Sequence, residues 1–109
     1  MTFYVLTLFP EIVQGALCHS IIKRAMDNNL LRLECIDIRG FSGNKHHRVD
    51  DAPYGGGAGM VLRPQPVYDA YLYAKTLAGS KHGDYPVIYM SPQGKPFTQH
   101  SAKRLAALP

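Results

Sequence analysis

Arg48-Val49-Asp50-Asp51-Ala52-Pro53-Tyr54-Gly55-Gly56-Gly57-Ala58-Gly59-Met60 is the stretch around which this chain is organised. Four of the five residues from Gly55 to Gly59 are glycine. Glycine loses more backbone freedom on folding than any other residue, so a run this dense persists where the backbone takes positive φ or where something approaches it closely. Asp50 and Asp51 come just before it, and His46, His47 and Arg48 just before those. Bare amide N–H groups beside mixed charge suit a polar, planar or anionic ligand. The plain alternative is a flexible surface connection.

Outward from this loop, from Arg39 to Arg63, neither a helical nor a strand period is present. An aperiodic loop of that length inside a compact domain is usually functional or disordered. On its N-terminal side, Phe3 to Phe9 is apolar and rich in β-formers and reads as a buried strand. Pro10 and Glu11 suit the first turn of a helix reaching about Leu17. Ser20 is placed to cap a second helix through about Asn28, with Ile21, Ile22, Ala25 and Met26 on one face. Leu31 to Ile38 alternates as a second strand, with Leu31, Leu33 and Cys35 on one side and Arg32, Glu34 and Ile36 on a wetter one.

On the C-terminal side, Pro64 and Pro66 open a helix from about Gln65 to Ala78, with Val67, Ala70, Tyr71, Ala74, Leu77 and Ala78 at helical spacing and Gly79 as its stop. Gly83 to Pro86 reads as a turn and Val87 to Met90 as a short third strand. Ser91-Pro92-Gln93-Gly94 follows at once. Thr98 caps a last helix to about Leu108. Strands alternating with helices argue for an α/β layer with a mostly parallel sheet and flanking helices. Three strands are few for such a sheet, so the pattern reads as part of a domain.

Composition bounds the rest. The chain has 109 residues, 46% of them hydrophobic, which argues for a folded domain and against disorder. No apolar run approaches the roughly 20 residues that span a bilayer, and no basic leader or cleavage site precedes Phe3, so a cytoplasmic protein is expected. Cys18 and Cys35 read as free thiols. The net charge of +4 and pI of about 9.2 agree with an anionic partner but do not require one. His46 and His47 are adjacent, their side chains diverge, and no ligand spacing surrounds them, so no metal site is expected.

The glycine run lacks the Gly-Lys-Ser/Thr ending of a phosphate loop and misses the dinucleotide fingerprint in both registers, where Met60 or Leu62 replaces the last glycine. Ser91-Pro92-Gln93-Gly94 lies where a parallel strand is expected to end, the usual ligand-binding edge of open α/β sheets, and its turn offers backbone groups to an adenine or ribose edge.

Three blocks carry a family resemblance: Leu8-Phe9-Pro10-Glu11, the stretch from Arg48 to Met60, and Tyr89-Met90-Ser91-Pro92-Gln93-Gly94. In this order and spacing they resemble the bacterial tRNA (guanine-N1)-methyltransferases, members of the knotted SPOUT methyltransferases. The resemblance covers essentially the whole chain but only the N-terminal part of the family's length. It implies the N-terminal part of a SPOUT (trefoil-knot) domain over residues 1–109, with the knot-closing segment and C-terminal tRNA-binding domain beyond Pro109. It also implies transfer of a methyl group from S-adenosylmethionine to N1 of the guanine 3′ of the anticodon, by a homodimer.

Carried over residue by residue, the resemblance makes Tyr89, Met90, Ser91, Pro92 and Gly94 a wall of the S-adenosylmethionine pocket. It makes Arg48, Asp50, Pro53, Tyr54, Gly55, Gly56, Gly57, Ala58 and Gly59 the substrate and RNA side. Ala58 stands where the family often has proline. The family's catalytic base lies later in its sequence, so no catalytic residue is assigned here, and these 109 residues alone are expected to be inactive. The competing reading is a non-enzymatic RNA-binding module that uses the basic, glycine-rich loop.

Overall fold

The structure, a computed structural model, describes residues 1–43, 45–46, 48–53, 55–79 and 85–108. Strands β1 (Thr2–Thr7) and β2 (Arg32–Asp37) pair in parallel, with Thr2 opposite Arg32 and Thr7 opposite Asp37. A parallel pair needs a crossover, and helices α1 (Pro10–Leu17) and α2 (Ser20–Asp27) supply it. Strand alternation divides the sheet into two faces. Tyr4, Leu6, Glu34 and Ile36 share one; Phe3, Val5, Leu33 and Cys35 share the other.

Helix α3 (Pro64–Ala78) covers the first face. Pro64 begins it where a missing N–H costs nothing. Its small residues Ala70 and Ala74, one turn apart and nearly inaccessible, let the helix approach the sheet. Gly79 stops it at φ 76°. The Tyr85 hydroxyl lies 3.1 and 3.0 Å from the carbonyl oxygens of Ala78 and Gly79 and shares its proton between them. The core is Ile36, Ile38, Val49, Ala70 and Ala74, flanked by Tyr4, Leu6, Leu8, Phe41 and Val67. Helix α1 packs against β2. Cys18, which caps α1, lies close enough to Cys35 to influence its thiol. The expected α/β layer with a parallel sheet and flanking helices is present.

Several local expectations change. Ile36, assigned to the wetter side of β2, is a core residue because α3 covers that side. The strand ends at Asp37, whose carboxylate accepts the Arg39 N–H at 2.9 Å and turns Ile38–Phe41 into a 3₁₀ segment. Ser20 does not cap α2. It is the first helical residue, at φ 51°, and His19 holds the cap position without a side-chain bond. The apolar face of α2 is covered only in part among the described residues: Ala25 and Met26 are half-buried, while Ile21 is 76% exposed.

The aperiodic loop contains a short antiparallel ladder. Asp50 and Asp51 (β3) pair with Leu62 and Val61 (β4). Val87–Met90 is not a strand. The residues have β-forming side chains, but no described segment pairs with them, and strand propensity without a ladder does not fix a strand. The last helix, α4 (Gln99–Ala106), is capped as expected, with Thr98 Oγ1 accepting the Ser101 N–H at 3.3 Å. The expected turn at Gly83–Pro86 lies largely outside the described residues. The radius of gyration, 16.0 Å, exceeds the roughly 13 Å usual for this length. The segment from Tyr85 onward accounts for this in part, since no residue from Tyr85 to Leu108 is buried.

Candidate functional site

The first and middle sequence blocks both lie next to the carboxyl end of the sheet. In the first, the Phe9 N–H is held by Thr7 Oγ1 at 3.1 Å, and the Phe9 ring lies 5.6 Å under the Arg39 guanidinium. The middle block begins with Val49, only 2% exposed and packed among Ile36, Ile38, Ala70 and Ala74. That plug roots the glycine loop in the core. The neighbouring residues point outward: Arg48 and Asp51 are exposed and Asp50 is half-buried.

Arg48 Nε donates to the Asp50 carbonyl at 3.3 Å and lies 3.8 Å from its carboxylate. So exposed a pair contributes little stability. Asp51 Oδ1 accepts the Ala52 N–H at 2.8 Å. At the exit, Arg63 donates its backbone N–H to the Val49 carbonyl at 2.6 Å and its guanidinium to the Arg48 carbonyl at 3.2 Å.

Within the lobe, the Gly56 N–H closes a turn on the Pro53 carbonyl at 3.1 Å. Gly55, Gly56 and Gly59 take φ of 85°, 78° and 90°. The glycines are therefore required by conformation. A Cβ at these three positions would meet nothing within 4 Å, so the space beside them is open. Arg48, Asp50, Pro53, Gly55, Gly56, Gly57, Ala58 and Gly59 form one lobe, and Tyr54 lies outside the described residues.

Ser91, Pro92, Gln93 and Gly94 form the tight turn expected of them. The Gly94 N–H donates to the Ser91 carbonyl at 3.0 Å, and the Gln93 N–H to Ser91 Oγ at 3.2 Å. A Cβ at Gly94 would come within 3.2 Å of that carbonyl, so any other residue there would have to push the carbonyl back by a few tenths of an ångström. Tyr89 and Met90 are 86% and 85% exposed. The turn's hydrogen bonds are internal to it and do not join it to the glycine lobe.

Sequence reading missed two residues of this site. Val49 stands alone among polar neighbours and produces no period. Arg63 reads only as the residue before Pro64. A separate concavity of 450 Å³ lies at the opposite end of the strands, lined in part by Met1, Thr2, Met26 and Leu31, and it contains none of the expected site residues.

A family model described as tRNA (Guanine-1)-methyltransferase TrmD matches residues 1–108. Among curated relatives, the tRNA (guanine-N(1)-)-methyltransferase of Desulforamulus reducens is 55% identical over 106 residues, covering 97% of this chain and 41% of the relative. That of Caldanaerobacter subterraneus is 51% identical over 108 residues, covering 99% and 43%. The crystal structure of the tRNA (m1G37) methyltransferase from Aquifex aeolicus superimposes with a TM-score of 0.83 at 34% identity, covering 98% of this chain and 46% of that one. The chain thus spans less than half the length of these relatives. Its parallel sheet and flanking helices are those of a SPOUT methyltransferase domain. Within that class, the chain belongs to the tRNA (guanine-1)-methyltransferase family.

Proposed function

We propose that this chain is the N-terminal part of a SPOUT domain in an S-adenosylmethionine-dependent tRNA (guanine-N1)-methyltransferase, with the knot-closing and tRNA-binding parts supplied by residues outside these 109. Its product carries a methyl group on N1 of the guanine 3′ of the anticodon. The enzyme works in the cytoplasm as a homodimer. The observation that carries the reading is the match of residues 1–108 to the family, glycine lobe included. No described helix is long and apolar enough to cross a membrane.

Tyr89, Met90, Ser91, Pro92 and Gly94 hold the methyl donor, which when bound supplies an electrophilic methyl group. The open faces of Tyr89 and Met90 favour this, as does the fixed turn beside them. Pro53, Tyr54, Gly55, Gly56, Gly57, Ala58 and Gly59 form a wall for the flat guanine, since glycine backbone leaves room for close approach. Asp50, beside Arg48, accepts hydrogen bonds from the base or ribose, and Arg48 with its basic neighbours contacts phosphates. The methyl would leave the donor's sulfur, which keeps the bonding pair as a neutral thioether, and the N1 proton would pass to a base that is not among these residues.

The test incubates the full-length enzyme with labelled S-adenosylmethionine and a tRNA transcript bearing guanine at that position. Label on guanine N1 is expected, and none from the 109-residue chain alone. Label on another base or atom, or binding without transfer, would overturn the reading.

A further inference from the structure

We infer that Arg63 is the positioning residue of the glycine lobe, fixing where Asp50 and the glycines point; this rests on the methyltransferase reading of that lobe. The ladder closing the lobe has two residue pairs, Asp50 with Leu62 and Asp51 with Val61. A pair of strands that short is marginal by itself. A slip of one residue would send Asp50 to the opposite face. The Arg63 main chain adds one further rung, through its N–H to the Val49 carbonyl, and its guanidinium adds a bond to the Arg48 carbonyl that the ladder itself does not supply.

Its backbone N–H and guanidinium take the carbonyls of two consecutive residues, Val49 at 2.6 Å and Arg48 at 3.2 Å. Those carbonyls come immediately before Asp50. Val49 is sunk in the core, so the main-chain bond starts from the best-anchored residue of the lobe, and the guanidinium extends that anchor to Arg48 beside it. Arg63 is also the cap residue of α3, whose Ala70 and Ala74 pack on the sheet. A relay of contacts therefore runs from α3 through Arg63 to the Arg48 carbonyl, and from Arg48 Nε to Asp50.

The chemistry suits arginine. Its guanidinium is always charged and carries five donors in a rigid fork, so one N–H can fix a carbonyl at defined distance and angle. Arg63 is half-buried and enters no ion pair among the described residues. The competing role for such a group is a direct contact to an RNA phosphate. The two roles leave different signatures, because a phosphate contact contributes to the salt dependence of binding and an internal hydrogen bond does not.

The experiment compares Arg63→Ala and Arg63→Lys with the parent protein. Amide exchange, turnover and tRNA affinity against salt are all followed in the full-length enzyme. For Arg63→Ala, exchange at Asp51 and Val61, whose N–H groups face each other across the ladder, is expected to rise about tenfold while β2 is unchanged. Turnover should fall about tenfold or more at unchanged tRNA affinity and salt slope, because a misaimed site loses rate before binding. Arg63→Lys, which keeps a donor, should recover part of the turnover. A salt slope reduced by about 0.7 to 0.9 with exchange unchanged would overturn the inference and make Arg63 a phosphate contact. Unchanged exchange and turnover would overturn it as well. If the parent enzyme methylates no guanine, the methyltransferase reading fails by itself, and the exchange measurement still decides whether Arg63 pins the lobe.

Discussion

Val49→Ala is the substitution that most directly tests whether the glycine lobe is rooted in the core. The side chain is 2% exposed and packs among Ile36, Ile38, Ala70 and Ala74. Truncation removes two methyl groups, worth about 0.8 kcal/mol each in transfer free energy, or about 1.6 kcal/mol together. The hole left behind adds about 1 kcal/mol, because its walls are strands and a helix that collapse only partly. The expected loss is therefore about 2 to 3 kcal/mol, a large share of the roughly 5 to 15 kcal/mol of an ordinary domain. Urea unfolding measures it. With a slope of about 1 to 3 kcal/mol per molar, the midpoint should fall by about 1 to 2 M at unchanged slope. Val61→Ala is the control: the same truncation in the same lobe at a side chain 52% exposed, for which a loss of no more than about 0.5 kcal/mol is expected. If Val49→Ala cost no more than Val61→Ala, the plug would not exist, and the lobe would be held by its ladder alone.

Two further outcomes follow from other positions. Gly59 sits at φ 90°, so Gly59→Val adds strain of about 1 to 2 kcal/mol and places a side chain in the open space beside the lobe; in the full-length enzyme, turnover should fall much further than melting temperature, and unchanged turnover with a large melting shift would make the glycine purely structural. The Cys35 thiol is pushed above its ordinary pKa of 9.0, first by burial and then by the nearby Cys18 and Glu34. The folded state therefore holds that proton longer than the unfolded one, and this contribution to stability is complete below about pH 9 and is lost as pH rises through the folded value. Cys35→Ser should remove that part of the alkaline decline; a Cys35 alkylated at pH 8 as fast as a free thiol would contradict the shift.

Much of the architecture was legible because it depends on local chemistry. Pro10 and Pro64 start helices, Gly79 stops one and Thr98 caps another, each by satisfying or sparing a backbone group next to it. The parallel pairing of β1 and β2 followed from the helices between two apolar runs. What escaped depends on contacts distant in sequence. The burial of Val49 is set by Ala70 and Ala74, some twenty residues on, and nothing beside Val49 announces it. Val87–Met90 has the composition of a strand, but a strand is defined by its partner, and no described residue provides one. Ile21 and Ile22 belong to a face that a pattern reads as interior, yet among the described residues both stay exposed. For the lobe, glycine density marked backbone that takes positive φ at Gly55, Gly56 and Gly59, while the guanidinium bond from Arg63 to the Arg48 carbonyl has no one-dimensional signature.

The exposed run Val87-Ile88-Tyr89-Met90 also bears on how this polypeptide behaves while it is being made. Its members are 60% to 86% exposed, and an apolar β-forming run without a partner is the kind of segment that stacks between copies into a fibril. Pro86 stands immediately before it and Pro92 two residues after Met90. Neither proline carries an N–H to donate to a growing ladder. The stretch free to stack is the five residues from Val87 to Ser91, shorter than the roughly six or seven that dry interdigitated sheets need. The two prolines act as gatekeepers. Replacing either by a residue with a backbone N–H lengthens the segment past that threshold and shifts the competition during synthesis from folding towards aggregation.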